Sequence, residues 1–468
     1  MEILHISAEC YPVAKVGGLA DVVGALPIYQ NALGSRSQVL MPFYNIAFTQ
    51  KNTFKKVYTS TIKFGDESID FKVLTLKNNT LGFDIFYIDI PELLYEKYVY
   101  SEDDTDRFLA FQIAALDWIV QLKNKPQIIH CHDHHTGLIP FMMAQSNDYK
   151  TLRKIPTVLT IHNAQYQGWF SHEKVYLIPE FDFSNVGLLD WNHTINPLAA
   201  AIKCAWRVTT VSPSYMEELK LNANGLEALI QAESSKCIGI LNGIDSEVWN
   251  PETDSFIHEN FSLDTIQKGK KANKDWLCKE FNLDPKRPLI VFIGRLVGEK
   301  GADLFPESFK LALKNSKISI LLLGSGMSSV EKELELLKFP FEGVYNAFIG
   351  YDESLSHKMY AGADFLLMPS RVEPCGLNQM YSLRYGTVPV VSKVGGLKDT
   401  VIDIEEGGFG ICHKDITSEE IANAIERAAD FYRNSKKFGT NRKRIMEIDH
   451  SWDASAEQYL NLYKSLKE

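Results

Sequence analysis

Short runs rich in β-branched and large apolar residues recur along this chain at 128–132, 157–162, 207–211, 289–293, 318–323, 365–368 and 388–391. Each is too short for a stable helix and apolar enough to be a strand buried on both faces. Amphipathic stretches with helical spacing separate the runs. Alternation of this kind predicts parallel sheets covered by helices, an α/β architecture. A polar stretch at 250–274 divides two strand-rich halves, and His450-Ser451-Trp452 interrupts the pattern again before a last amphipathic segment carrying Tyr459, Leu460 and Tyr463. The expected domains are 1–250, 251–450 and a terminal helix at 451–468, either a simple cap or a segment folding back onto the first half.

One phrase occurs twice: Lys15-Val-Gly-Gly-Leu-Ala-Asp21 and Lys393-Val-Gly-Gly-Leu-Lys-Asp399. An apolar run precedes each copy and a helical pattern follows. A glycine pair between strand and helix lets backbone N–H groups approach a ligand without an intervening Cβ, and a helix start favours anions. The repetition predicts two similar halves, each offering one such loop.

At 468 residues the chain exceeds one hydrophobic core, and 45% hydrophobic with 23% charged residues is ordinary globular composition. A net charge of −10 argues against nucleic acid or an anionic membrane as the main partner. Seven scattered cysteines without a Cys-x-x-Cys pair point to reduced thiols. With a strand beginning at Ile3 and no run of about 18 apolar residues, the expected setting is cytoplasmic.

Polar and charged residues concentrate just after the strand-like runs, where open parallel sheets bind ligands. Arg295 and Lys300 flank a glycine turn in Gly294-Arg-Leu-Val-Gly-Glu-Lys-Gly301, a fork and a point charge suited to a diphosphate. The spacing is not that of a P-loop. Gly324-Ser-Gly326 opens like a dinucleotide fingerprint, but Ser329 stands at the third glycine. In Pro369-Ser-Arg-Val-Glu373-Pro-Cys-Gly-Leu-Asn378, a carboxylate held by a proline precedes a glycine and a helix start, so Glu373 and nearby N–H groups suit a polyhydroxylated ligand. Cys375 has no histidine at a suggestive spacing and reads as a packed residue. His130-Cys-His-Asp133-His-His135 invites a metal, but no partner cluster at ligand spacing accompanies it, so no metal is expected. Core histidines beside a hydrogen-bonding Asp133 fit better. His162-Asn-Ala-Gln-Tyr-Gln-Gly168-Trp169 joins a strand end to amides and aromatics that suit sugar rings.

Taken in order, these motifs resemble the bacterial-type glycogen synthases, the glucan synthase family shared with plant starch synthases. Leu241-Asn-Gly-Ile-Asp245 and Gly350-Tyr351 add to the likeness, which spans nearly the whole chain. The resemblance implies a GT-B-type fold, two Rossmann-like domains facing across a deep cleft, with no cofactor. It implies transfer of glucose from ADP-glucose to the non-reducing end of an α-1,4-glucan such as glycogen, with retention. Arg295 and Lys300 then bind the diphosphate, Lys15, Gly17 and Gly18 approach phosphate and sugar, and Glu373 holds the glucose with help from Cys375, Gly376 and Leu377 N–H groups. His162 and Asp133 lie by the anomeric carbon, Asn242 near the glucose, and Tyr351 on the adenine. Tyr95 and Gly225-Leu-Glu227 match acceptor-side positions.

The chain departs from the family pattern at Asn378, where threonine is usual and whose side chain is expected to cap the following helix, at Val16, and across 95–106 and 190–205 on the acceptor side. Two alternatives stand beside this reading. One is a related retaining glycosyltransferase using UDP-glucose or a small acceptor. The other, a non-catalytic glucan-binding relative, predicts loss of Arg295, Lys300 or Glu373, all of which are present.

Overall fold

The structure, a computed structural model, describes residues 1–467. Its strands in chain order are β1 Glu2–Ile6, β2 Arg36–Pro42, β3 Phe54–Phe64, β4 Glu67–Leu76, β5 Asp84–Asp89, β6 Ile128–His132, β7 Thr157–Ile161, β8 Asp190–Trp191, β9 Thr194–Ile195, β10 Arg207–Thr210 and β11 Cys237–Gly239. There follow β12 Leu289–Ile293, β13 Ser319–Gly324, β14 Tyr345–Ile349, β15 Phe365–Met368, β16 Val388–Ser392 and β17 Ile411–His413. The chain divides into two compact units, Met1–Asn242 with the segment from Trp452 onward, and Gly243–Ser451.

In the first unit nine strands lie in the order β11-β10-β7-β6-β1-β2-β5-β4-β3. All pair in parallel except β4, which runs antiparallel to both β5 and β3. The central strands β6 and β7 are buried throughout, as the apolar runs predict. The long β3–β4 hairpin alternates buried and exposed residues, the signature of a sheet edge with one wet face. The helix Trp452–Ser465 closes this unit. Its Trp452, Ala456, Tyr459, Leu460 and Tyr463 pack with Ile3, Val22, Leu26, Ile128 and Val158 in one buried cluster.

The second unit is built on an all-parallel sheet ordered β14-β13-β12-β15-β16-β17. Its β13 is buried at every position and is sandwiched by helices, as a doubly wound sheet requires. Asp364, just before β15, is 1% exposed and ties the core together. It accepts from Lys274 at 2.6 Å, from Arg442, and from the Leu289 N–H at 2.8 Å. Burial alone would disfavour the carboxylate, but the two cations and the N–H hold its pKa below the usual range.

Strand order reverses between β1 and β6 in the first sheet and between β12 and β15 in the second. Loops leaving the carboxyl ends of strands at such a reversal diverge to opposite faces and leave a crevice. Lys15 and Asp133 follow the first pair; Arg295 and Glu373 follow the second.

Candidate active site

Beyond β12 and β15 two loops meet. Lys300 Nζ lies 2.6 Å from Glu373 Oε2, which also accepts from Ser370 Oγ at 2.9 Å. The turn carrying Lys300 is fastened to the Glu373 loop through Arg371, whose guanidinium takes both oxygens of Asp303 at 2.6 and 2.9 Å and the Gly298 carbonyl at 2.6 Å. The Arg371 N–H completes the clasp by donating to Glu299 O at 2.7 Å. Gly301 is left-handed at φ +71°, and a Cβ there would stand 2.6 Å from the Pro369 carbonyl, so glycine is obligatory for this approach. Arg295 is otherwise disposed: 62% of its side chain is exposed, with a long contact of 3.5 Å to Glu299. A paired ammonium on a buried carboxylate, and an exposed guanidinium on the same β12 loop, are groups of the kind that an anion joined to a polyol needs.

Cys375 is buried, as a packed residue should be, while Gly376 and Leu377 N–H groups make no hydrogen bond among the described residues. Asn378 departs from expectation. The helix Asn378–Arg384 has no side-chain cap, because Asn378 Nδ2 is committed to the Ile293 carbonyl at 2.8 Å, pinning the helix to the end of β12. Gly324 and Gly326 also differ from a nucleotide fingerprint. Added Cβ atoms would lie 2.1 Å from Gly294 O and 2.3 Å from Leu296 O, so these glycines serve close packing of the Arg295 segment.

The repeated phrase has different roles in its two places. At Gly395 and Gly396 a Cβ would meet Glu373 O at 2.0 Å and Cys375 O at 2.1 Å, and Gly396 N–H donates to Glu373 O at 3.0 Å. The second copy therefore supports the Glu373 loop from behind, and its glycines do not open onto a ligand. Lys393 turns away to Glu406 at 2.5 Å. At Gly17 and Gly18 nothing lies within 4 Å of an added Cβ, and the helix Gly18–Ala32 starts there. Only the first copy has the open glycine face expected of both.

Glu9 shapes that first loop. It is 3% exposed and accepts from Val16 N–H at 2.5 Å, Gly17 N–H at 2.9 Å and the Tyr100 hydroxyl at 2.5 Å. Burial pushes its pKa up, and the three donors pull it back. Lys15 pairs with Asp21 at 2.7 Å and keeps 44% of its side chain exposed. Tyr95 is half-exposed and stacks on Phe43 with ring centroids 5.6 Å apart.

Past β6 and β7 stand Asp133 and His162, both buried. Asp133 takes a positive φ of 56° and accepts the His162 N–H at 2.7 Å. Its pKa is raised to about 7 by burial, against the His162 and Asn163 N–H groups that lower it, with Glu9 raising it further. His162 is pushed down to about 3 by burial and is a neutral imidazole at neutral pH. Behind it, ring nitrogens of His5, His130 and His132 lie within 4.8 Å of one another. Every one of their nitrogens already makes a hydrogen bond, so the trio reads as a polar core and not as a cage of free lone pairs.

Asn242 is 5% exposed and its Oδ1 has no hydrogen-bond partner among the described residues, an orphan that suits a ligand hydroxyl. Tyr351 is 80% exposed. Glu227 accepts from Ala223 and Gly225 N–H groups at 2.7 and 3.1 Å and so holds its own turn. The sequence reading passed over Glu9, Tyr100, His5 and Gln30. Glu9 alone carried a signal, a lone charge inside the apolar stretch after β1.

The family model of the starch synthase catalytic domain matches residues 2–232, and that of group 1 glycosyl transferases matches 274–444. A glycogen synthase from Flavobacterium johnsoniae is 51% identical over 99% of this chain and 98% of its own length. Another from Streptococcus pneumoniae is 36% identical over the full length of both. Among solved structures, the catalytic domain of starch synthase IV from Arabidopsis thaliana, bound to ADP and acarbose, superposes with a TM-score of 0.91 at 32% identity, covering 100% of this chain and 99% of that one. A sucrose-phosphate synthase from Thermosynechococcus elongatus shares the fold at a TM-score of 0.64 and 17% identity, over 99% of this chain and 98% of that one. The chain thus belongs to the glycogen synthase family and is a glycosyltransferase of GT-B fold.

Proposed function

We propose that Arg295 and Lys300 bind the diphosphate of ADP-glucose, that Glu373 with the Gly376 and Leu377 N–H groups holds the glucose, and that Tyr351 lies on the adenine. Lys15, Gly17, Gly18, Asp133, His162 and Asn242 serve the sugar, and Tyr95 the α-1,4-glucan acceptor. The observation that carries this reading is the Lys300–Glu373 pair at the carboxyl ends of β12 and β15, with an exposed arginine beside it. No helix among the described residues is long and apolar enough to cross a membrane, consistent with a cytoplasmic glucan-building enzyme.

The reaction breaks the bond between glucose C1 and the β-phosphate oxygen and forms one from C1 to the acceptor's terminal hydroxyl oxygen, releasing ADP. Cations neutralise the charge growing on the departing phosphate. Retention through a covalent intermediate needs a carboxylate free to attack. Glu373 Oε2 is engaged by Lys300 and Ser370, and Asp133 Oδ1 by the His162 N–H, which sets both carboxylates to positioning work and weakens them as nucleophiles. A front-face transfer follows, with the acceptor proton passing to the departing phosphate oxygen. A glucosyl adduct trapped on Glu373 or Asp133 would overturn this route. Incorporation of labelled glucose from ADP-glucose into glycogen, with UDP-glucose as competitor, tests the assignment. Lys300→Ala and Glu373→Ala are expected to lose transfer, and equal activity in all three proteins refutes the site.

A further inference from the structure

Behind His162 a line of hydrogen-bonded side chains runs through the first unit, and its hydrogens can be placed one after another. Burial lowers His5 to about 4 and His162 to about 3, and holds His130 and His132 well below the ordinary value. Each of the four is therefore a neutral ring with one N–H to place. At the far end Thr209 Oγ1 donates to the Leu159 carbonyl at 3.2 Å. A carbonyl only accepts, so the Thr209 hydrogen is used there, and Thr209 accepts from Thr160 Oγ1 across 2.6 Å. Thr160 in turn accepts from His130 Nε2 at 2.6 Å. His130 Nδ1, left bare, takes the Tyr463 hydroxyl hydrogen at 2.6 Å.

The Tyr463 oxygen then accepts from Gln30 Nε2 at 3.4 Å. That orientation turns Gln30 Oε1 toward Ser37 Oγ at 2.6 Å and His5 Nε2 at 2.9 Å. His5 Nδ1 accepts from His132 Nε2 at 3.0 Å, and His132 Nδ1 accepts from His162 Nε2 at 3.0 Å. Running the line backwards requires Thr209 to abandon the Leu159 carbonyl and the Gln30 amide to turn over.

We propose that this line positions His162 for glucosyl transfer by fixing it as the Nε2–H tautomer, which presents a bare Nδ1 lone pair at the end of β7 to a hydroxyl of the bound sugar. This rests on the sugar-site reading above. His162 in this form orients a hydroxyl and has no hydrogen to give a leaving oxygen. Its Nδ1 makes no hydrogen bond among the described residues, so the lone pair is available. Thr160, Thr209, His5, His130, His132, Gln30 and Tyr463 are then positioning residues acting through His162.

The test reads the tautomer directly, by long-range 1H–15N correlation spectra of the ¹⁵N-histidine-labelled full chain without donor or acceptor. Wild type is expected to show His162 Nε2 as the protonated nitrogen. Thr209→Val removes the donor that sets the direction; Tyr463→Phe breaks the line at a second point. Both are expected to move hydrogen onto His162 Nδ1, wholly or in part, and to lower kcat about tenfold with little change in the donor KM. Thr209→Ser restores the hydroxyl and is expected to restore both readouts, which a packing defect would not do. A wild-type His162 protonated on Nδ1, or one that stays on Nε2 in both Thr209→Val and Tyr463→Phe, overturns the proposal. A wild type with the expected tautomer but no glucose transfer refutes the sugar role alone, since the spectra need no substrate.

Discussion

Alanine placed in each copy of the repeated phrase separates a glycine that faces open space, where the sugar is proposed to bind, from one that faces the chain. At Gly18 an added methyl meets nothing within 4 Å, and the residue opens the helix Gly18–Ala32, where alanine is favoured over glycine by about 0.5–1 kcal/mol. Gly18→Ala is therefore expected to leave the melting transition unchanged or slightly higher. At Gly396 the methyl would stand 2.1 Å from the Cys375 carbonyl oxygen and 2.5 Å from its Cα, both backbone atoms that cannot rotate aside. The Glu373 loop must retreat by about an ångström, and overpacking of this kind costs about 1–3 kcal/mol. In a unit of this size that is roughly 2–10 °C of melting temperature. Transfer should fall in both variants. Gly396→Ala misplaces Glu373, for which a shift of about 1 Å costs on the order of 10²-fold; Gly18→Ala puts a methyl into ligand space without unfolding anything. Calorimetry paired with labelled-glucose incorporation reads both quantities. Full activity in Gly18→Ala, or an unchanged melting transition in Gly396→Ala, refutes the division of roles.

Three further outcomes follow from the charges. Arg295→Ala, which removes a side chain 62% exposed, is expected to leave stability unchanged and raise the donor KM, a split that initial-rate kinetics resolves. With its pKa near 7, Asp133 is expected to give kcat/KM an acid limb that rises through that pH, disappears in Asp133→Asn and moves to lower pH in Glu9→Gln. For stability the same carboxyl works in the other direction: the unfolded chain releases its proton at lower pH, so its contribution shrinks as pH rises from the usual carboxylate range to 7. The buried histidines oppose it, because below about 6.5 the unfolded rings bind protons that His5 and His162 refuse until about 4 and 3. With His130 and His132 they outnumber Asp133, so urea melts at pH 7.5 and 5.5 should show lower stability at 5.5; equal midpoints would contradict the neutral core.

The apolar runs located the central strands to within a residue, because burial on both faces leaves little choice of side chain. The hairpin of β3 and β4 was not read, since Phe54–Phe64 alternates lysines and threonines with its apolar positions and sits at an edge. Position after a strand pointed to Asp133, Arg295 and the stretch that holds Glu373, for open parallel sheets carry such loops to their carboxyl ends, while His162, at a strand end, owed its role to the family resemblance. Glu9 escaped because its partner Tyr100 is 91 residues away; Arg371 was noted after its strand, but its clasp to Asp303, 68 residues off, was not. Glycine told least by itself. The same five-residue phrase faces open space in one place and carbonyl oxygens in the other, and only the surrounding chain decides which.

The helix Trp452–Ser465 follows the whole second unit in the chain yet fills the core of the first. Synthesis therefore finishes the halves in inverse order. Ile3, Val22 and Leu26 emerge early and wait uncovered while residues 243–451 are made, a delay of roughly 10–40 s at about 5–20 residues per second. The second unit is contiguous and can close during that interval. Tyr463, which bonds Gln30 and through it His5, is made only after the whole second unit. A nascent or truncated chain can thus possess a complete second unit while lacking the Tyr463 hydroxyl that belongs to the hydrogen-bonded line behind His162.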